Sequence, residues 1–191
     1  MTGGNRAEQT MLNQEVRFTE LYRRYGRELH AYCARRSPGS QAADAVAETF
    51  LVAWRKIDQV PNGEAALPWL YGVAFRVLSH QWRRSARSGR LLEKLQGLAE
   101  VETPTPDLVL VRRTEGQTVM KAAARLRPID QEILRLTLWE ELSHADAAIV
   151  LGLEPGAVKQ RAFRARRNLA NEYLKLTKDN LPPAALKGGG S

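Results

Sequence analysis

The spacing of three residues constrains the C-terminal half of this chain more than any other feature. Ala148 is followed four residues later by Gly152, and six residues after that by Val158. A small residue where two helices cross, a glycine free to take positive φ, and a β-branched anchor in the next helix make the helix-turn-helix spacing. Its neighbours agree. Leu142-Ser143-His144-Ala145-Asp146 opens the first helix with a capping signal, in which Ser143 bonds the amide of Asp146 and the Asp146 carboxylate reaches back. Pro155 suits the first position of the second helix, where its missing amide costs nothing. The motif therefore runs between about Ser143 and Asn168.

The second helix separates its faces. Val158, Ala162, Ala165 and Leu169 form an inward stripe, while Ala157, Gln160, Arg161 and Arg164 point away from it, with Lys159, Arg166 and Arg167 on the flanks. Between Pro155 and Arg167 there are five basic residues and no acidic one. Such a helix fits the major groove, where Gln and Arg read base edges and Lys and Arg grip phosphates. The alternative is a solvated basic face on an ordinary helical hairpin; spacing, capping and charge together favour DNA. The candidate set for duplex DNA is Ala157, Lys159, Gln160, Arg161, Arg164 and Arg167.

Charge is unevenly spread along the 191 residues, whose net is +8. Residues 1–88 hold 13 basic and 8 acidic side chains, residues 121–176 hold 10 and 7, and residues 89–120 between them hold 4 and 5. A basic balance favours a polyanionic partner without choosing between nucleic acid and an acidic membrane. The near-neutral middle contains Thr103-Pro104-Thr105-Pro106-Asp107, and two prolines so close cannot sit in a helix interior. A linker is expected over about Gly89–Arg113, between two basic helical domains. The tail from Leu181-Pro182-Pro183 to the glycine-rich end reads as disordered. No apolar run approaches the roughly 18 residues needed to cross a bilayer, and MTGGNRAEQT lacks the pattern of a secretory signal, so a cytoplasmic location is expected. Cys33, the single cysteine, reads as a small apolar filler.

The N-terminal half is helical throughout. Phe18, Leu21, Tyr22, Tyr25, Leu29 and Tyr32 make one apolar face. Ser37-Pro38-Gly39-Ser40 breaks that helix, and Ser40 can cap the next, which carries Ala43, Val46, Phe50 and Trp54 on one side. Asp44 and Glu48 make an acidic strip on the same helix. DNA is repelled there, so that face suits a protein partner. Val60-Pro61-Asn62-Gly63 is a loop. A third helix, about Ala66 to Ala86, turns Leu70, Val73, Ala74 and Val77 inward and places Arg76, His80, Arg83, Arg84 and Arg87 on one side, with Trp69, Tyr71, Phe75 and Trp82 interleaved. Cations beside flat rings suit opened DNA. The expected fold is all-α, two small helical domains joined by a flexible linker, the C-terminal one a helix-turn-helix.

The order of these motifs resembles the extracytoplasmic-function group of bacterial RNA polymerase sigma factors. Phe18–Arg36 resembles the start of their domain two, Asp44–Arg55 their polymerase-clamp helix, Pro68-Trp69-Leu70 through Arg84 their promoter-melting helix, and Leu126-Arg127-Pro128 through Leu169 their domain four. The resemblance implies domain two over 12–88, a linker over 89–113, domain four over 114–176 and a tail over 177–191. It implies core RNA polymerase as partner through Asp44 and Glu48, and promoter DNA as both duplex and melted strand. It also implies an anti-sigma factor as a regulatory partner. The loop Ile57–Ala65 and the helix Trp69–Arg87 then read and open the minus-ten element, with Asp58 and Asn62 as candidate contacts for a flipped base and Arg76, His80, Arg83 and Arg84 along the strand. The chain departs from the group where Ala47 replaces a usual Gln, where Phe75-Arg76 stands for a frequent Arg-Asn, at His80, and where Ala157 replaces a common Thr. That last change moves upstream specificity onto Gln160, Arg161 and Arg164.

Two other classes stay open on sequence alone. One is a helix-turn-helix regulator with an unrelated helical sensor domain, although no dimer face or heptad is visible. The other is an enzyme acting on nucleic acid. His30, His80 and His144 are dispersed without a Cys or carboxylate cluster, and no phosphate loop or metal spacing occurs, so no cofactor or metal is implied and catalysis is not expected.

Overall fold

Periodic apolar positions become helices along almost the whole described chain. The computed structural model describes residues 3–37, 39–96 and 115–179, with side chains over 8–37, 39–85 and 116–178. Helices α1 (Gly3–Ala34), α2 (Gly39–Arg55) and α3 (Ala66–Gln96) are followed by α4 (Glu115–Ala124), α5 (Pro128–Leu138), α6 (His144–Leu151) and α7 (Pro155–Asp179). Among the described residues there is no strand, and no helix is long and apolar enough to cross a membrane. The expected loop Ile57–Ala65 holds two single turns of 3-10 helix, Ile57–Gln59 and Gly63–Ala65. The prolines at 104 and 106 and the tail beyond 179 lie outside the described residues, as does most of the expected linker. Among the described residues two compact units emerge, one within residues 3–96 together with 148–153, the other residues 115–147 with 154–179.

In the first unit α1, α2 and α3 pack against one another. Leu21, Tyr25, Leu29 and Tyr32 are buried as their spacing requires, as are Cys33 and the α3 positions Leu70, Val73, Ala74 and Val77. Tyr22 is 56% exposed, however, and belongs to the rim. On α2 the buried face is Ala42, Ala45, Thr49, Phe50 and Ala53, one position out of phase with the expected Ala43, Val46, Phe50 and Trp54. The reason is steric. Alanines let helices approach closely, and the Thr49 hydroxyl is satisfied by the Ala45 carbonyl at 2.7 Å. The bulky Trp54 sits at the edge against Phe18, ring centroids 5.2 Å apart. Ser40 lies inside the first turn of α2, not at its cap.

Helix α3 also outruns its expected end at Ala86 and reaches Gln96, across the start of the expected linker. Its last ten residues hold one glycine and one serine among Arg, Leu, Glu, Lys and Gln. One glycine costs about 1 kcal/mol, which such helix formers offset.

The end of α1 is fixed by a stack. Tyr32 and Tyr71 lie parallel with centroids 4.4 Å apart, and the Arg36 guanidinium covers the outer face of Tyr32 at 3.5 Å. Arg36 is only 2% exposed. Its charge is tolerated because it meets a ring face, the Tyr32 carbonyl at 3.0 Å and the negative end of the helix.

In the second unit α4 and α5 pack on α7, around a core of Leu126, Leu134 and Ala165 extended by Leu169. Pro128 opens α5, and Gln131 folds back to the Leu126 carbonyl at 2.9 Å.

Truncating the stack should be costly: Tyr32→Ala is expected to destabilise the first unit by roughly 3–5 kcal/mol in urea denaturation. A loss under about 1 kcal/mol would mean that the stack does not hold α1 to α3.

Candidate nucleic-acid interface

Local chemistry builds the helix-turn-helix. The Asp146 amide donates to Ser143 Oγ at 3.1 Å, and that hydroxyl donates to the Asp146 carboxylate at 2.6 Å. The carboxylate thus reaches back to the Ser143 side chain, closing a two-bond loop at the start of α6. Gly152 takes φ +64° and Leu153 donates to the Ala148 carbonyl at 3.0 Å, closing the turn. Only glycine holds that φ without strain. Pro155 then starts α7.

Val158, Ala162 and Ala165 are buried and Leu169 half-buried, as their stripe requires. Lys159, Gln160, Arg164, Arg166 and Arg167 are exposed. Two expected contacts differ. Ala157 is half-buried, and Arg161 turns sideways toward Asp130 of α5 at 4.0 Å. Arg161 shares the helix flank that faces α5, so its charge is already engaged. Sequence reasoning also missed Phe163, which is 69% exposed between Gln160 and Arg167. The signal was available: it is the one large apolar residue of this helix segment lying outside the inward stripe.

Beside α7 runs a groove of about 510 Å³ lined by Arg125, Arg127, Arg161, Arg164, Glu172 and Lys175 among others. Glu172 accepts from Lys175 at 2.6 Å and Arg125 at 3.3 Å. The Lys175 hydrogen bond, with Arg125 behind it, holds the Glu172 carboxyl below its ordinary value against the opposing effect of burial. Arg127 and Arg164 make no ion pair among the described residues, which leaves them the available cations of this groove.

In the first unit Arg76, His80, Arg83 and Arg84 are all exposed on one side of α3. Tyr71 is core, Trp69 and Phe75 are half-buried, and Trp82 is 38% exposed, so of the four rings Trp82 is the most accessible for stacking. The side chain of Arg87 lies outside the described residues. Asp58 and Asn62 are exposed on the turn that precedes α3, and both are held by α1. Gln14 donates to Asp58 at 3.2 Å, and Arg17 donates to Asn62 Oδ1 at 3.0 Å.

Asp44 and Glu48 are exposed, one turn apart on α2, with Ala47 and Leu51 beside them. Leu51, one turn beyond Glu48, adds an exposed apolar residue to the acidic strip, a composition suited to a protein partner. Among the described residues no group of three His, Cys, Asp or Glu could hold a metal ion.

Residues 21–88 match Sigma-70 region 2, and residues 116–169 match Sigma-70, region 4. The chain is similar to RNA polymerase sigma factor NccH of Alcaligenes xylosoxydans, 31% identical over 172 residues, 85% of this chain and 90% of that one. It is similar to the ECF RNA polymerase sigma factor BldN of Streptomyces coelicolor, 31% identical over 170 residues, 85% of this chain and 62% of that one. Among solved structures it resembles sigma factor RpoE of Bartonella quintana, crystallised with the anti-sigma factor NepR, at 26% identity and a TM-score of 0.58, covering 83% of this chain and 96% of that one.

The α7 geometry sets an order among its cations. Lys159→Ala, Arg164→Ala and Arg167→Ala should each reduce the salt dependence of duplex binding by about one counterion, and Arg161→Ala by less. An equal effect at Arg161 would show that its pair with Asp130 breaks on DNA.

Proposed function

The chain belongs to the RNA polymerase sigma factors, in the extracytoplasmic-function group, and on that premise we propose how its residues divide the work of starting transcription. It binds core RNA polymerase and directs promoter-specific initiation. The observation that carries this is the order of parts: region 2 first, with an acidic strip and a basic aromatic helix, then region 4 with a basic recognition helix.

We assign residues 12–88 to domain two, 89–113 to the linker and 114–176 to domain four. Domain two meets the polymerase clamp through Asp44 and Glu48, with Leu51 as the apolar member of that contact. It meets the minus-ten element through the loop Ile57–Ala65 and the exposed side of α3, where Arg76, His80, Arg83 and Arg84 follow the backbone. Asp58 and Asn62 are the contacts for a flipped base. Flipping costs a few kcal/mol per base, and a shaped polar loop offsets it in a way phosphate contacts cannot. Domain four lays α7 in the major groove of the upstream element. Gln160 and Arg164 read base edges there, and Lys159 and Arg167 hold phosphates. Arg161 supports them from the flank, and Phe163 offers an apolar surface for a thymine methyl group.

The work is recognition and strand opening, with no reaction chemistry assigned to any residue. It takes place in the cytoplasm, where core polymerase is. Because RpoE of Bartonella quintana is held by an anti-sigma factor in its solved complex, we extend a regulator of that class to this chain.

Reversing the strip in Asp44→Lys/Glu48→Lys should weaken core polymerase binding roughly tenfold or more at low salt, measured by fluorescence anisotropy. Unchanged affinity would remove the strip from the interface. For Phe163, replacing contacted thymines of the upstream duplex by deoxyuridine should cost the wild type about fourfold in affinity for one buried methyl, and cost Phe163→Ala nothing. Equal sensitivity in both proteins would end the methyl contact.

A further inference from the structure

The turn that carries Asp58 and Asn62 is fastened to one face of α1. Gln14 reaches the Asp58 carboxylate, Arg17 reaches both the Val60 carbonyl and Asn62 Oδ1, and the buried Tyr25 hydroxyl donates to the Gly63 carbonyl at 2.8 Å. Positions 14, 17 and 25 fall on the same side of a helix, so α1 presents three donors in a row to a segment about forty residues away. Gly63 at φ +62° lets the chain turn directly after Asn62.

Arg17 stands at the centre of this row. It is half-buried, and a guanidinium is donor-only, so the Asn62 atom it meets must be the amide oxygen. That fixes the side chain against the flip that otherwise interconverts an amide's two ends. The oxygen is engaged, and the Asn62 amide nitrogen makes no hydrogen bond among the described residues. Asn62 therefore offers a base its NH2 group as a donor.

We propose that Arg17 is a positioning residue for promoter reading: by holding Val60 and the Asn62 amide oxygen, it fixes which end of the amide is which and leaves the Asn62 NH2 group to donate to a base atom with a free lone pair. This rests on the reading that the loop Ile57–Ala65 meets the opened strand. Arg17 itself touches no base. It acts through Asn62, and the sequence gives no hint of this because the partners are 45 residues apart.

The test uses the full chain bound to core polymerase and promoter DNA already melted over the minus-ten element, with each of the four bases placed in turn at each melted position. Wild type and Asn62→Ala are compared first; loss of preference at one position identifies the base that Asn62 meets. Arg17→Met should then lower the preference at that same position by roughly five- to tenfold, as expected for one directed hydrogen bond. Arg17→Lys should restore part of it. Asn62→Asp, which keeps an oxygen for Arg17 but removes the donor, should lose the preference while the protein's melting temperature is kept. The double variant Arg17→Met/Asn62→Ala should be no worse than Asn62→Ala. The inference is overturned if Arg17→Met keeps the wild-type preference, weakens all bases equally, or adds to Asn62→Ala. If Asn62→Ala and Asp58→Ala both leave every preference unchanged, the loop does not meet the strand, and the underlying reading falls with it.

Discussion

One face of α1 does two jobs that elsewhere fall to separate elements. Leu21, Tyr25, Leu29 and Tyr32 bury against α2 and α3, and Gln14, Arg17 and Tyr25 hold the turn that carries Asp58 and Asn62. Tyr25 belongs to both sets, its ring in the core and its hydroxyl on Gly63. The geometry of that turn is thus tied to the packing of the core. A loop fastened only at its ends would pay ordering entropy each time it met DNA; one fastened along its length is already ordered. The Arg36–Tyr32–Tyr71 stack fixes the far end of the same helix, so α1 cannot slide relative to the loop it holds.

The recognition helix depends on a different device, which is local. Gly152 sets the turn, Pro155 starts α7, and small residues at 162 and 165 let α4 and α5 lie close against it. Half of the inward stripe is alanine, and the large charged side chains lie on the outward face. The pair Arg161–Asp130 removes one cation from that face and ties α7 to α5. What remains outermost is Gln160, Phe163, Arg164 and Arg167, a mix of polar, aromatic and cationic groups.

What the chain revealed before its structure follows from how far apart the interacting residues are. The helix-turn-helix was legible because cap, glycine and anchor sit within sixteen residues and each has one conformational meaning. The face of α2 was not, since Ala43-Val46-Phe50-Trp54 and Ala42-Ala45-Thr49-Phe50-Ala53 are both helical repeats. Only close packing by α1 and α3 chooses the alanine-rich one. The end of α3 was not legible either, since Gly89 breaks the pattern in sequence while the helix formers around it carry the helix to Gln96. The pairing of Arg161 with Asp130 was not legible because the two are far apart in sequence. For the same reason the α1 residues that hold Asp58 and Asn62 were not legible, since they lie more than forty residues away.

The account turns on the chain being a sigma factor with two DNA-reading ends. The most direct measurement is run-off transcription from a linear promoter template by purified core polymerase, with and without the full chain. The account predicts transcripts of one defined start only when the chain is present, and loss of that start when the upstream element is scrambled. Transcripts that begin at template ends whether or not the chain is added, or a defined start indifferent to both promoter elements, would contradict it.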